Sequence, residues 1–547
     1  MTRTALTGGL IFVFCVLLRI GLADRHGLWA DECFSLAMAT GHSLEHPADR
    51  ADHAFGDFME APRAVPPEAY SRYLEHDVPP ACLGRVVRAV FLSDSNPPLY
   101  YLLLYGWTRS LGTGDVALRL FSILWALACF PLIWSLAKRL GGDTAAVPTC
   151  ILFAVSPLCV FYSTEGRMYS LLLFCTVCMM WLTLRLWDRG ANAARFILWV
   201  AAGAAGLLTH YFFVFVWIAA VFWLQLHPSR FPRRLSGTGA LLTVLLVLPW
   251  YIHIPQSLSQ WRVTGYWLTI WPNGYHPITT ALSLPWNFLS VEGIWWGESR
   301  FLGSINVGVF LLLAVAALRK LCWSAFSTPR SLLWLWLLSP CLGIMAFDLV
   351  RGTYVIAVPR YALAGMPAAF LLTGIGLGSL GYRLRAVFIS LIVLLCLLSV
   401  RYFYVAEHRS YQNYPKVARL LAHQVNESDL ILVHSIPSGV TGLARYLENA
   451  GACKTGLGFA SWVGQLGQRR VPEDLEALAA GRGRIILITT HAVGEPAPEQ
   501  SWLEENATLV ETKQIYGATL QFFLPRDSPR FFRPQGPVSS FRSKNEP

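Results

Sequence analysis

The sequence predicts a polytopic α-helical membrane protein carrying a small C-terminal α/β domain outside the cytoplasm. Three observations carry that reading. The 547 residues are 54% hydrophobic and only 14% charged, against roughly 25% charged in an ordinary soluble domain. With a mean hydropathy of +0.45, one water-soluble core cannot hide the apolar surface, which excludes a cytosolic enzyme and a disordered chain. The apolar residues come in runs of about 17–22, the length that crosses roughly 30 Å of hydrocarbon. From about residue 410 the pattern changes to short β-rich runs between polar helical segments.

The first run, 5–22, reads as an uncleaved first helix rather than a signal peptide. Further spans are predicted at 117–137, 145–162, 168–186, 195–210, 211–227, 237–254, 301–318, 331–349, 361–380 and 386–402, eleven in all. Lys138-Arg139, Arg185 with Arg189 and Arg195, Arg230 with Arg233-Arg234, Arg319-Lys320 with Arg330, and Arg383 with Arg385 fall on one side. By the positive-inside rule that side is cytoplasmic, so the net charge of +11 is a topology signal and not a nucleic-acid footprint. Loops 23–116 and 255–300 and the tail from 403 then lie outside. The segment 98–111, short and dense in Tyr and Trp, reads as an interfacial helix. The Trp-, Tyr- and Pro-rich stretch 255–300 reads as re-entrant or interfacial.

Residues 1–402 thus form the transmembrane domain and 403–527 the extracytoplasmic α/β domain, with a disordered tail at 528–547. Within the α/β domain, helices are expected at 414–423 and 472–480, buried parallel strands at 429–434 and 484–490, and late strands at 508–515 and 519–524. No GxGxxG follows the first strand, so no dinucleotide site is read. Most of the 12 cysteines lie inside apolar runs and behave as small hydrophobes. Cys33 and Cys82, both outside, could pair in an oxidising compartment.

Five clusters of chemistry-bearing residues fall at outer helix ends. Asp31-Glu32 follows span one, and a carboxylate there suits a general base or a cation ligand. Asn96-Pro97-Pro98-Leu99-Tyr100 is a turn that launches the interfacial helix. Glu165 and Arg167, followed by Tyr169, occupy the tight turn between spans three and four. Arg360-Tyr361 opens span ten, and arginine suits planar phosphate recognition. His210 lies at the turn between spans five and six. Taken singly, an acidic doublet or a Pro-Pro turn is usually a solvated loop. Their common placement is what suggests a site for a lipid-linked phosphate. The loop 41–95 is rich in acid and histidine (His42, Glu45, His46, Asp49, Asp52, His53, Asp57, Glu60). It reads either as a solvated loop or as a divalent metal site; no metal ligand set is assigned.

At these residues the sequence resembles the GT-C superfamily of membrane glycosyltransferases. It looks most like the bacterial branch of the dolichyl-phosphate-mannose protein mannosyltransferase family, glycosyltransferase family 39. The matched pattern is Asp31-Glu32 after span one, Asn96-Pro-Pro-Leu-Tyr-Tyr, Gly114-Asp115-x-Ala117-Leu-Arg119, Glu165-x-Arg167-x-Tyr169 and Arg360-Tyr361. The resemblance implies an inverting enzyme that moves a sugar from a polyprenyl-phosphate donor to a glycan, lipid or protein acceptor at the outer face. It implies Asp31 as the general base with Glu32 in support, and Arg360, Tyr361, Arg167 and Tyr169 around the donor phosphate. Asn96, Tyr100, Glu165 and His210 are expected on the substrate side. A bacterial inner membrane, no nucleic-acid partner and no certain cofactor, with a divalent metal ion left open, complete the expectation. The chain departs from the pattern in the long 41–95 insertion and in Asn96, where relatives often carry histidine. Trp295-Trp296 is not followed by Asp, so no oligosaccharyltransferase signature is read.

Two other classes compete. A transporter of a lipid-linked substrate would place ionisable groups at the midplane of broken helices. An envelope-assembly scaffold would not need carboxylates and arginines gathered at one face.

Overall fold

A computed structural model describes residues 3–46, 51–93, 96–227, 230–259, 267–269, 274–288, 329–405, 412–491, 497–515 and 517–526. Helices dominate as far as residue 405, and a five-stranded sheet follows. Among the described residues, seven helices are long and apolar enough to span a bilayer: Thr4–Leu22, Asp115–Gly141, Tyr169–Arg189, Arg233–Gln256, Ser331–Arg351, Pro359–Gly378 and Tyr382–Arg401. Ala193–Leu207 and Phe213–Leu226 are shorter apolar helices. The chain is an integral multi-pass membrane protein. Predicted span 301–318, most of 255–300 and the tail 528–547 lie outside the described residues.

Predicted span 145–162 is not one helix. It breaks into α1 (Asp143–Val155) and α2 (Pro157–Ser163), bent by 58°. Pro157 has no N–H to give to the carbonyl four residues earlier, which is Phe153. The fully buried Arg19, from the first span, supplies the missing donors. Its guanidinium reaches the Phe153 carbonyl at 3.0 Å and the Ala154 carbonyl at 3.1 Å. A charge inside a span is expensive unless it is used in this way.

Between 193 and 226 the chain turns back on itself, because Leu208–Phe212 is not helical. Gly206 permits the tight return: a Cβ there would lie 2.3 Å from the Phe213 ring. The Leu208 carbonyl in this turn accepts from Leu99 N at 3.0 Å. That bond fastens the Asn-Pro-Pro turn and helix α3 (Leu99–Leu111) to the end of the bundle.

In the described part of the acid- and histidine-rich 41–95 insertion several of these side chains are buried in hydrogen bonds; Asp49 lies outside the described residues. Asp57 is fully buried and takes a two-pronged bond from Arg88 and one from Ser43 at 2.6 Å. His46 Nε2 bonds the Phe58 carbonyl, and His42 Nε2 lies 3.3 Å from Asp77. Among the described residues no three His, Cys, Asp or Glu side chains gather as a metal would need. The insertion instead ties the membrane helices to the C-terminal domain. Val65 and Phe459 exchange backbone hydrogen bonds, which covers the edge of the sheet. Ser71 donates to Glu448 at 2.6 Å, and Glu60 accepts from Ser461 and Val463 N.

In the C-terminal domain, β1 (Asp429–His434) pairs in parallel with β2 (Gly458–Trp462) on one side and β3 (Arg484–Thr490) on the other. The strands β4 (Ala507–Ile515) and β5 (Ala518–Pro525) complete the order β2-β1-β3-β5-β4. The expected strands formed. The sequence reading missed β2 and the helix Pro437–Asn449, whose Gly439 and Gly442 lower its intrinsic helix propensity. Cys33 and Cys82 do not pair: Cys33 is buried against the Pro437–Asn449 helix near Gly442, while Cys82 is exposed, and both are free.

Candidate active site

Helix α4 (Ala30–Thr40) carries the acidic doublet in its first turn, where partial positive charge at the helix N-terminus favours carboxylates. Consecutive residues on a helix point about 100° apart. Asp31 and Glu32 therefore face different surroundings.

Glu32 points inward and is 1% exposed, as is its partner Arg119. Arg119 Nε and Nη2 donate to the two carboxylate oxygens at 2.8 and 2.7 Å. Gly166 N donates to the same carboxylate at 2.8 Å and Trp29 N at 3.3 Å. The remaining Arg119 donors go to the carbonyls of Ala23, His26 and Gly27. Every N–H of this guanidinium is used. The resemblance placed Glu32 in support of the base; the geometry gives it the task of holding three segments together.

Asp31 faces the other way. Its side chain is 24% exposed and meets Arg360, 18% exposed, at 3.4 Å. Arg360 lies over the Tyr361 ring, with its carbon 5.3 Å from the centroid. Its Nε has no partner among the described residues. Arg167 reaches the same place from the turn before Tyr169, donating to the Asp31 carbonyl and to Ser35 Oγ, each at 3.2 Å. Glu165 is buried and accepts from Trp29 Nε1 at 3.0 Å. His210 joins through aromatic contacts, its ring 6.4 Å from Tyr169 and 6.3 Å from Tyr361.

Asp31, Arg167, Glu165, Tyr169, His210, Arg360 and Tyr361 thus form one cluster, drawn from four separated stretches of chain. Two expected residues sit apart from its open side. Tyr100 is fully buried against Tyr101 and Phe121. Asn96 lies half-buried in the turn that precedes it.

The C-terminal domain is bonded to the segments beside this cluster. Tyr446 accepts from Leu28 N at 2.6 Å and donates to Asp115. Arg445 pairs with Asp115 at 3.2 Å and with Glu75 at 3.0 Å. The Gln412 side-chain oxygen accepts from Ala30 N at 3.4 Å, at the first residue of α4. Sequence reasoning missed Gln412, Trp29, Ser35 and the clamp role of Arg119. Arg119 was visible as part of a motif, but its partner lies 87 residues away.

At the opposite helix ends the basic residues meet an acid and a carbonyl. Arg139 forks onto Asp188 at 2.8 and 2.6 Å, and Arg330 donates to the Leu140 carbonyl. The carboxylate cluster and the basic loops therefore occupy opposite ends of the bundle.

Residues 95–253 match the family model described as dolichyl-phosphate-mannose-protein mannosyltransferase. Over nearly the whole chain the fold is similar to that of ArnT from Cupriavidus metallidurans bound to undecaprenyl phosphate. That likeness has 13% identity and a TM-score of 0.53, and covers 94% of this chain and 97% of that one. The apo state of ArnT gives 12% identity and a TM-score of 0.50, covering 89% and 95%. No curated protein sequence matches the chain.

Proposed function

Taking the chain as a membrane protein with the fold of the GT-C glycosyltransferases, we propose that it transfers a sugar from a polyprenyl-phosphate carrier to a hydroxyl acceptor at the extracytoplasmic face. The observation that carries this reading is the Asp31–Arg360 pair, half-open and only partly hydrogen-bonded, at the end of the bundle opposite the basic loops. The match to the mannosyltransferase family model and the likeness to ArnT, crystallised with undecaprenyl phosphate, support the donor class. The sugar is a hexose or pentose, and a bacterial inner membrane is the proposed location.

The chemistry follows from the groups present. Asp31 takes the proton of the acceptor hydroxyl, whose oxygen bonds to the anomeric carbon. The bond from that carbon to the phosphate oxygen breaks, and the carrier leaves as polyprenyl phosphate. A single displacement of this kind inverts the anomeric centre. Arg360, with Arg167 behind it, stabilises the charge that develops on the leaving phosphate. The Tyr361 ring lies under the Arg360 guanidinium and keeps its rotamers few. Binding at the helix ends leaves the prenyl chain beside the bilayer.

The test is release of free polyprenyl phosphate from a panel of polyprenyl-phosphate sugars by the purified chain in lipid, with an envelope glycolipid extract as acceptor. Loss of a positioned base removes roughly 10²–10⁴-fold of rate. Asp31→Asn should therefore be nearly silent while the wild type turns over. Release that survives the substitution would move the base elsewhere. No release from any donor, with transport or partner binding intact, would sink the transferase reading. A chelator arm reads metal dependence.

A further inference from the structure

One residue of the C-terminal domain is held at this site in a way that packing alone does not require. His491 follows β3 directly and has φ +47°, the left-handed region. It is the one non-glycine there among the described residues, and a side chain held in that region is a reason to look for a task. The position is the carboxyl edge of the sheet, next to the strand β1 at which the order β2-β1-β3 reverses. In open α/β sheets that edge is where ligands bind.

Hydrogen bonding fixes the chemical form of the ring. Ala30 N–H can only donate, so the Gln412 atom facing it is the oxygen. The other terminal atom of Gln412 is then the amide nitrogen, which can only donate. It lies 2.9 Å from His491 Nδ1. Nδ1 must accept, so the ring is neutral and carries its proton on Nε2. Gln412 thus links the first residue of α4, beside Asp31, to one defined tautomer of His491. The residue is exposed, which leaves Nε2–H available.

Resting on the transferase reading, we infer that His491 is an acceptor-binding residue, donating from Nε2–H to a hydroxyl or ring oxygen of a sugar acceptor beside Asp31, with Gln412 as its positioning residue. The direction of approach selects the acceptor over the donor. Arg360 and Arg167 come from the membrane helices, where a prenyl carrier arrives. His491 comes from the domain outside them. A neutral donor suits an uncharged sugar hydroxyl, whereas a cation would compete for the carrier phosphate. A ring whose Nδ1 is occupied and whose Nε2 is protonated is not a base, so the proton still goes to Asp31.

The experiment uses the full chain in lipid nanodiscs with the polyprenyl-phosphate sugar that the panel identifies. Envelope glycolipid extract is titrated as the acceptor probe. His491→Gly is the main variant, because glycine adopts φ +47° without strain and should leave the thermal midpoint unchanged or higher. Loss of one hydrogen bond corresponds to about tenfold in half-saturating acceptor. That rise is expected in His491→Gly and Gln412→Leu, with turnover at saturation within about threefold. Binding of undecaprenyl phosphate alone should not change. His491→Gln, which returns an N–H near the place of Nε2, should recover part of the loss. Unchanged acceptor dependence in His491→Gly, or equal loss of carrier binding, overturns the inference while the wild type and Asp31→Asn still define the transferase. If the wild type itself is inactive, the transferase reading fails separately. The ring is then read directly by ¹⁵N-histidine spectra of the full chain against His491→Gly. A cationic ring, or a proton on Nδ1, at pH 7 overturns the role of His491 whatever the activity.

Discussion

Asp31 and Glu32 are neighbours in one helical turn, and each meets an arginine, yet the two pairs are built for different tasks. Arg119–Glu32 is shut away from water and saturated: all five guanidinium N–H groups and both carboxylate oxygens are in use. Arg360–Asp31 is half-open, joined by one long bond, with spare donors on the arginine. A saturated pair can only hold structure, because any new ligand must first break an existing bond. An unsaturated pair has room for a phosphate and a hydroxyl. Sequence adjacency therefore says little about shared function; hydrogen-bond saturation separates the scaffold from the site.

The sharpest way to break this contrast is to remove one partner from each pair. Arg119→Met leaves the Glu32 charge buried and frees the Ala23, His26 and Gly27 carbonyls. Stripping one partner from a buried pair costs about 3–5 kcal/mol. A thermal midpoint in lipid should fall steeply. The double variant Glu32→Leu with Arg119→Met should recover only part, because the carbonyls remain unpaired. A midpoint unchanged in Arg119→Met would end the claim that this pair is structural.

At the open pair the expectation inverts. Arg360→Gln should leave the midpoint close to the wild type. Loss of charge-assisted hydrogen bonds to phosphate, about 1.5–3 kcal/mol, predicts roughly 10–100-fold weaker undecaprenyl phosphate binding. Arg360→Lys should bind between the two, since it keeps the charge and loses the planar fork. Equal loss of stability in the Arg360 and Arg119 variants would erase the distinction.

Arg19 carries a structural arginine into the membrane, held through its two terminal nitrogens while its Nε has no partner among the described residues. Arg19→Leu should destabilise by about 1–3 kcal/mol, the desolvation of carbonyls left unpaired at the Val155–Pro157 break. Because that break leads into the turn holding Glu165 and Arg167, activity should fall further than stability. Comparing turnover with the thermal midpoint checks this.

A pH-dependent effect is expected at Glu60, between the insertion and the C-terminal domain. Its Oε1 accepts from Ser461 and Val463 N and lies 3.6 Å from Arg469. Its Oε2 is buried with no partner among the described residues. Burial pushes this carboxyl up to about 7, against the neighbouring Arg469 charge. Because the folded value is raised, the folded chain keeps a proton that the unfolded chain has lost between the ordinary carboxylate range and about pH 7. Stability contributed by Glu60 is therefore present at low pH and lost as pH rises through that window. Glu60→Gln should flatten this part of the midpoint-versus-pH curve between pH 5 and 8, and an identical slope in both proteins would refute it.

Much of the architecture was legible because it rests on local signals. Hydropathy runs gave the helices, and β-branched runs gave 429–434 and 484–490 their strands. Even the break near 156 carries a proline, although only the structure paired it with Arg19. The β2 strand was not legible: GFASW is short and gains its burial from β1 and Val65 rather than from its own pattern. Tyr100 and Glu165 were visible as residues of interest, but their burial was not.

What the sequence determined by itself is additive along the chain: which stretches partition into lipid, which end of the bundle collects basic residues, and which segments prefer strands. Only the tertiary structure decided the partners. Asp31 finds Arg360 across 329 residues, and Ala30 meets Gln412 across 382. The reason is geometric. A helix turns by about 100° per residue, so the rotation of α4, set by everything packed around it, decides which of two adjacent carboxylates is locked inside and which is left facing the open end of the bundle.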